Sequence, residues 1–256
     1  NDIRGEAAQG VVAEIKAKGG QALANSGDIT TLEGAKGIAD AALAAFGEVH
    51  VLVNNAGVLR DRMFLSLSEE DWDTVMRVHL KGHFCLASVL GRRWRDASKA
   101  GKPVDARIIN TSSGAGLQGS VAQSNYSAAK GGIAALTLVQ AVEMKRYGIT
   151  VNSLAPAART AMTESAMPDM VKKPATGFDV WDPMNVASIV VWLGSPLSAH
   201  VTGQCFEAKG GELSVAEGWR TGKITDKGAR WEPKELTKVV DQLIAEGRPA
   251  QKVYGS

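Results

Sequence analysis

The sequence predicts an α/β fold, a mainly parallel sheet doubly wound with helices on both faces. Apolar runs of strand length alternate with helical stretches along the chain, as strand–helix–strand units require. With 256 residues, 45% of them hydrophobic, the chain can bury a full core as one domain. Neither a repeat nor a low-complexity segment interrupts the alternation.

The elements follow in order. Residues 5–18 read as a helix with Val11, Val12 and Ile15 on one face and Gly19-Gly20 as its stop. Residues 21–25 read as a short strand, followed by Asp28 and a helix ending at Gly47. A second strand at 50–53 opens into Asn54-Asn55-Ala56-Gly57. Ser68-Glu69-Glu70-Asp71 is a helix start, a hydroxyl cap with acids in the first turn, and that helix runs to about Arg95. Residues 107–111 form a strand, 126–147 a long helix stopped by Gly148, and 149–154 another strand. The last strand is placed at 201–207. Residues 232–246 form an amphipathic helix, with Pro233 near its start and Leu236, Val239, Val240, Leu243 and Ile244 on one face. The 126–147 helix carries alanines 128, 129, 134, 135 and 141 and leucines 136 and 138, so it is apolar nearly all round. Such a helix is expected to be buried on both sides.

Composition narrows the function. A net charge of +2 with 22% charged residues gives no electrostatic reason to expect nucleic acid or an anionic membrane. The densest basic cluster, Arg92, Arg93 and Arg95, is too short for a binding tract. Cys85 and Cys205 lie far apart without CxxC spacing and read as reduced thiols. No apolar run approaches the roughly 20 residues of a membrane helix. The first residue is Asn rather than Met, which reads as a truncated start and leaves a targeting peptide open.

The chemistry concentrates in SGAGLQGSVAQSNYSAAKGG, residues 113–132. Tyr126 and Lys130, four apart on a helix, point to the same side and can meet over one pocket. A free tyrosine ionises near pH 10, and a fixed cation beside it favours the phenolate. Such a group can take a proton from an alcohol or give one to a carbonyl. Ser113 follows the 107–111 strand, beyond whose carboxyl end ligands bind in open α/β sheets, so its hydroxyl can hold the substrate oxygen. That arrangement needs a hydride partner, hence a nicotinamide cofactor. The small residues of Asn-Asn-Ala-Gly and glycines 114, 116 and 119 let a flat cofactor approach the backbone.

NNAG at 54–57, NTSS at 110–113 and YSAAK at 126–130 resemble, in order and spacing, the short-chain dehydrogenase/reductase family. NNAGVLRDRMF, DWDTVMRVHLKGHF, QSNYSAAK and MTESAMP resemble a group within it, the (R)-3-hydroxyacyl-CoA dehydrogenase units of peroxisomal multifunctional enzymes type 2 and their bacterial relatives. The resemblance covers residues 1–219 and implies a Rossmann-like sheet there, with 220–256 as an extension bearing the amphipathic helix. It implies Tyr126 as acid/base, Lys130 as the group that binds the nicotinamide ribose and lowers the Tyr126 pKa, and Ser113 as the positioner of the substrate oxygen. Asn55, Ala56 and Gly57 are implied cofactor contacts, and Thr160 and Met162 are implied to contact the nicotinamide carboxamide through their backbone. Asp28 is the implied adenine contact. Asp2 is matched to the carboxylate that holds the adenosine ribose and repels a 2′-phosphate, favouring NAD, while Arg4 is the opposing signal for NADP. No metal site is implied.

Three features depart from the pattern. His79 stands where many members carry an asparagine whose main-chain carbonyl holds a water near the lysine. Pro156-Ala157 replaces the usual proline-glycine after the sixth strand. The leading strand, the TGxxxGxG turn and its helix, roughly 35 residues, are absent, so the sequence is read as a fragment. Residues 163–183, with Met167, Met170, Phe178 and Trp181 following Met162, correspond to a mobile substrate lid whose apolar content suits an acyl chain or a sterol.

The expected function is NAD-dependent interconversion of a secondary alcohol and a ketone on a lipid-like substrate, a 3-hydroxyacyl-CoA or a hydroxysteroid. The alternatives are an NADPH-dependent 3-oxoacyl carrier-protein reductase and a catalytically silent dimerisation partner. The long helix fits the family's pairing of subunits as homodimer or homotetramer. The expected compartment is the cytoplasm of a bacterium, or the peroxisome in a eukaryote.

Overall fold

The computed structural model describes residues 1–166, 168–249 and 251–256. A five-stranded sheet runs in the order β1 (Val51–Asn54), β2 (Ala106–Thr111), β3 (Ile149–Ala157), β4 (Cys205–Lys209) and β5 (Glu212–Val215). The first four strands are parallel and β5 pairs antiparallel with β4. Helices α1 (Gly5–Ala17), α2 (Leu32–Phe46), α3 (Glu69–Met76), α4 (Gly82–Lys99), α5 (Gly114–Gln118), α6 (Ser124–Met144), α7 (Ala161–Ala166), α8 (Pro183–Gly194) and α9 (Pro233–Glu246) complete the described elements.

The sheet is covered on both faces, as expected. Successive side chains of a strand point to opposite faces. Ile108 accordingly joins a core with Ala39, Leu86, Leu90 and Ala141 of α2, α4 and α6. Its neighbour Ile109 joins a second core with Ile189 and Leu193 of α8 and Phe206 of β4. The Ser68 hydroxyl caps α3 by accepting the Asp71 amide at 3.1 Å, as the Ser-Glu-Glu-Asp start predicts. Between α3 and α4 the helix widens into one π-turn, Arg77–Lys81, which carries His79. Such insertions are frequent at functional sites.

Two expectations are corrected. Residues 21–25 form no strand. A strand needs a neighbour's amides and carbonyls, and β1 forms the sheet edge on that side, with Val51 and Val53 exposed. The last strand is neither at 201–207 nor last. Residues 201–204 are held by side chains of β3 and the loop itself: Asn152 Nδ2 donates to the Val201 carbonyl at 2.9 Å, and Thr202 Oγ1 accepts the Val151 amide at 3.0 Å. The ladder starts at Cys205, and Gly210-Gly211 turns the chain into β5 through a two-residue hairpin loop. Within the single chain, α6 is covered on one side. Ala129, Ile133 and Ala141 are buried, whereas Leu138, Val139 and Val142 are 56%, 54% and 81% exposed. The apolar face of α9 is also uncovered at Leu236, Val240 and Ile244. Cys85 and Cys205 are both free thiols.

Candidate active site

The carboxyl ends of β1, β2 and β3 open on one edge of the sheet, the edge where ligands bind in this architecture. Asn55, Ala56 and Gly57 follow β1, Ser112 and Ser113 follow β2, and Thr160 and Met162 lie beyond β3. Tyr126 and Lys130 come in from α6.

A buried polar network fixes these pieces. Asn110 Nδ2 donates to Thr137 Oγ1 and Gln140 Oε1, each at 3.0 Å, and its Oδ1 accepts from Asn54 Nδ2 at 3.0 Å. One side chain thus ties β1, β2 and α6 with its buried polar atoms satisfied. Ser112 Oγ donates to the Lys130 carbonyl at 2.9 Å. Gly116 of α5 rests on α6, where a Cβ would stand only 2.5 Å from the Lys130 carbonyl carbon. Asn125 joins the start of α6 to the loop after β1: its Nδ2 donates to the carbonyls of Arg60 at 3.0 Å and Asp71 at 3.4 Å.

Lys130 is 2% exposed; its Nζ donates to the Thr111 carbonyl at 2.6 Å and lies 5.6 Å from the centre of the Tyr126 ring. Burial lowers its pKa to about 7, because removing water disfavours the cation. Burial also pushes the Tyr126 phenol above its ordinary value; the Ser113 hydroxyl opposes this and the Asp61 carboxylate adds to it. Lys130 is not among the groups that shift the phenol, whose direction is set by burial. Desolvation acts on both partners, penalising the phenolate while it discharges part of the ammonium near neutral pH.

His79 grips the loop after β1. Its Nε2 lies 2.8 Å from the Val58 carbonyl oxygen and 3.0 Å from the Val58 amide nitrogen. A Cβ at Gly57 would approach the ring to 2.3 Å, so only glycine clears it. The ring also meets Tyr126 edge-on, with centres 5.2 Å apart. His83, one turn later, accepts the Thr111 amide on Nε2 at 3.3 Å. Burial first, and the Lys130 charge second, hold His79 down to about 4 and His83 to about 3. Both rings are neutral struts near neutral pH.

The remaining expected residues lie in separate clusters. The Asp2 carboxylate accepts the Arg4 amide at 2.8 Å and its guanidinium at 3.4 Å, contacts that lower its pKa. Arg4, the opposing signal, is therefore engaged with Asp2 itself. The Asp2 amide donates to Asn25 at 3.1 Å, beside Asp28, whose carboxylate accepts the Thr30 amide and hydroxyl at 2.8 and 2.9 Å. Thr160 and Thr163 cap one another, amide to hydroxyl, at 2.8 and 3.2 Å, opening α7 where Met162 lies. Met167 lies outside the described residues. Arg159 and Asp179 close the base of the expected lid with paired bonds of 2.8 and 2.7 Å, and Arg159 Nε donates to the Val171 carbonyl at 2.6 Å. A cleft of about 320 Å³ runs beneath α8, lined by Val53, Asn55, Thr111 and Pro156 among others.

The family described as short chain dehydrogenase matches residues 1–171. Hydroxyacyl-CoA dehydrogenase ChsB1 of Mycobacterium tuberculosis is 41% identical over 254 residues, covering 95% of this chain and 79% of that protein. The chain belongs to the short-chain dehydrogenase family. Mouse peroxisomal multifunctional enzyme type 2 is 40% identical over 227 residues, 88% of this chain but only 27% of that longer protein. A crystal structure of a short chain dehydrogenase from Mycobacterium avium superposes with a TM-score of 0.89 at 53% identity, covering 97% of this chain and 82% of that one. This short-chain dehydrogenase is an oxidoreductase of CH–OH groups, related to hydroxyacyl-CoA dehydrogenases and of a family that binds NAD(P). Among the described residues, no helix is long and apolar enough to cross a membrane.

Sequence reasoning missed Asn125, Asp61 and the Arg159–Asp179 pair. Asp61 bonds Gln123 Nε2 at 2.9 Å from 62 residues away, a separation that no local pattern marks.

Proposed function

We propose that this short-chain dehydrogenase oxidises 3-hydroxyacyl-CoA thioesters to 3-oxoacyl-CoA with NAD. The observation that carries it is Tyr126 and Lys130 on one face of α6, with Ser113 at the carboxyl end of the neighbouring strand and Thr111 anchoring the lysine. Similarity to a hydroxyacyl-CoA dehydrogenase supports the choice of substrate.

The residues present fit the nicotinamide half of the cofactor. Lys130 has three donors and Thr111 takes one, which leaves donors for ribose hydroxyls. Thr160 and Met162 lie beyond β3, and Asn55 and Ala56 are exposed at the end of β1, where the rest of the cofactor can lie against the backbone. Asp2 and Asp28 are assigned to the adenosine end. When bound, the cofactor supplies the acceptor for the hydride leaving the carbinol carbon. Ser113 donates to the substrate oxygen and holds it against the phenol. In oxidation Tyr126 acts as the phenolate and takes the hydroxyl proton as the carbonyl forms; in reduction the neutral phenol gives that proton to the carbonyl oxygen. Exposed Met170 and Phe178 offer apolar surface to the acyl chain. The test is turnover of 3-hydroxyacyl-CoA and hydroxysteroid panels with NAD⁺ and NADP⁺, followed at the nicotinamide absorbance. Turnover of carrier-protein thioesters with NADPH alone would select the reductase reading instead.

Asp2 accepts ribose hydroxyls and repels a 2′-phosphate, so kcat/KM is expected to favour NAD⁺, and Asp2→Ala to relax the preference. Equal or better wild-type kcat/KM with NADP⁺ would overturn the assignment.

We also propose that the exposed Leu138, Val139 and Val142 face of α6 pairs with a second copy. An adjacent hollow of about 560 Å³, lined by Gly91, Arg92, Met144 and Tyr147 among others, continues the surface onto α4. Light scattering at micromolar concentration should show a dimer or a dimer of dimers, and Val142→Glu should shift it toward monomer. A wild type that scatters as a monomer contradicts this.

A further inference from the structure

Residues 119–123 lie between α5 and α6, and they form the middle of three short paired segments on the rim of the site. On one side Arg62 pairs with Gln123, the Arg62 amide donating to the Ala122 carbonyl at 2.8 Å. On the other side Tyr254 pairs with Ser120. The Val121 amide donates to the Tyr254 carbonyl at 2.9 Å, and the Tyr254 amide donates to the Gly119 carbonyl at 3.2 Å. Ala122 sits at φ 62°, a left-handed conformation that a residue with a Cβ rarely adopts. Strained backbone persists where its surroundings over-determine it. Here Arg62 and the tail hold it from both sides.

Tyr254 reaches the start of α5. A Cβ at Gly114 would stand 2.7 Å from the Tyr254 hydroxyl oxygen and 3.0 Å from its ring, so Tyr254 packs directly on the residue after Ser113. Gly255 seats against Val121, where a Cβ would meet the valine Cβ at 3.3 Å. Tyr254 as a whole is 48% exposed.

We propose that Tyr254 is a specificity-determining residue: its ring walls the substrate chamber beside Ser113, and the tail around it clamps the 119–123 loop. This rests on the alcohol-dehydrogenase reading and adds what the chamber selects. The ring offers apolar surface next to the carbinol carbon, which a long acyl chain covers and a short one does not. Removing the ring therefore changes the balance between long and short substrates.

The experiment uses the intact protein, its Tyr254→Ala and Tyr254→Phe variants, and 3-hydroxyacyl-CoA substrates from four to sixteen carbons with NAD⁺. The ratio of kcat/KM for the longest over the shortest substrate should change by about tenfold or more in Tyr254→Ala. The change should arise in KM for the long substrates, with the KM for NAD⁺ unmoved, and Tyr254→Phe should keep the wild-type profile. An unchanged ratio in Tyr254→Ala overturns the assignment, as does a loss shared by NAD⁺ and every substrate, which marks a merely structural role. A wild type inactive on the whole panel overturns the functional reading instead.

Discussion

Tyr126→Phe is expected to lower kcat by about 10²–10⁴-fold, the usual contribution of a positioned acid–base group, while the protein stays folded. The phenol oxygen is the only part removed, and the ring contact with His79 survives. Ser113→Ala should chiefly lower kcat, since it misplaces the reacting oxygen without emptying the cofactor site. Lys130→Met should cost at least as much as Tyr126→Phe, because it removes both the fixed charge beside the phenol and the ribose donors. Its stability should behave differently from its activity. Lys130 binds its proton more weakly folded, at about 7, than the ordinary 10.5. Between those values the unfolded chain holds the extra proton, so wild-type stability rises with pH across the window. That alkaline gain should disappear in Lys130→Met. A Tyr126→Phe protein that is folded by circular dichroism and keeps kcat within a factor of about three of wild type would sink the assignment.

The parts of the site that sequence reading reaches are those with short periods. Tyr126 and Lys130 are one helical turn apart, and Ser113 sits just past an apolar run, so their common edge follows from local pattern. The clusters that hold them are not local. Asn54, Asn110, Thr137 and Gln140 converge from three elements, and Tyr254 reaches Ser120 across the whole second half of the chain. No spacing rule links such positions. The missed β5 is a different case, because Gly-Gly between Lys209 and Glu212 is a hairpin signal in plain view. The strand expected at residues 21–25 fails for the opposite reason: its apolar character is local, but a strand exists only through a neighbour. The phenol's upward shift was also out of reach, since spacing gives the nearness of Lys130 but not the depth at which both groups are buried.

Acid should unfold this protein through His83 and His79, and wild-type stability is expected to fall steeply between pH 6.5 and 4. Both rings are 1% exposed and held neutral, His79 down to about 4 and His83 to about 3 against an ordinary 6.5. A folded-state value below the unfolded one means the unfolded chain binds the proton first. Stability is therefore complete above pH 6.5 and is lost as the pH drops toward the folded values. His79 alone, shifted from 6.5 to about 4, corresponds to roughly 3 kcal/mol. Domains are stable by only about 5–15 kcal/mol, so two such groups decide the acid limit. The cause is structural: protonated rings would sit beside Lys130 with no carboxylate among the groups that shift them. Urea midpoints at pH 7, 6, 5 and 4 read the effect. His83→Gln keeps an acceptor for the Thr111 amide without a titrating nitrogen, so its midpoint should decline less steeply over the same range. If wild type and His83→Gln lose stability in parallel from pH 6.5 to 4, the buried imidazole is not what acid attacks.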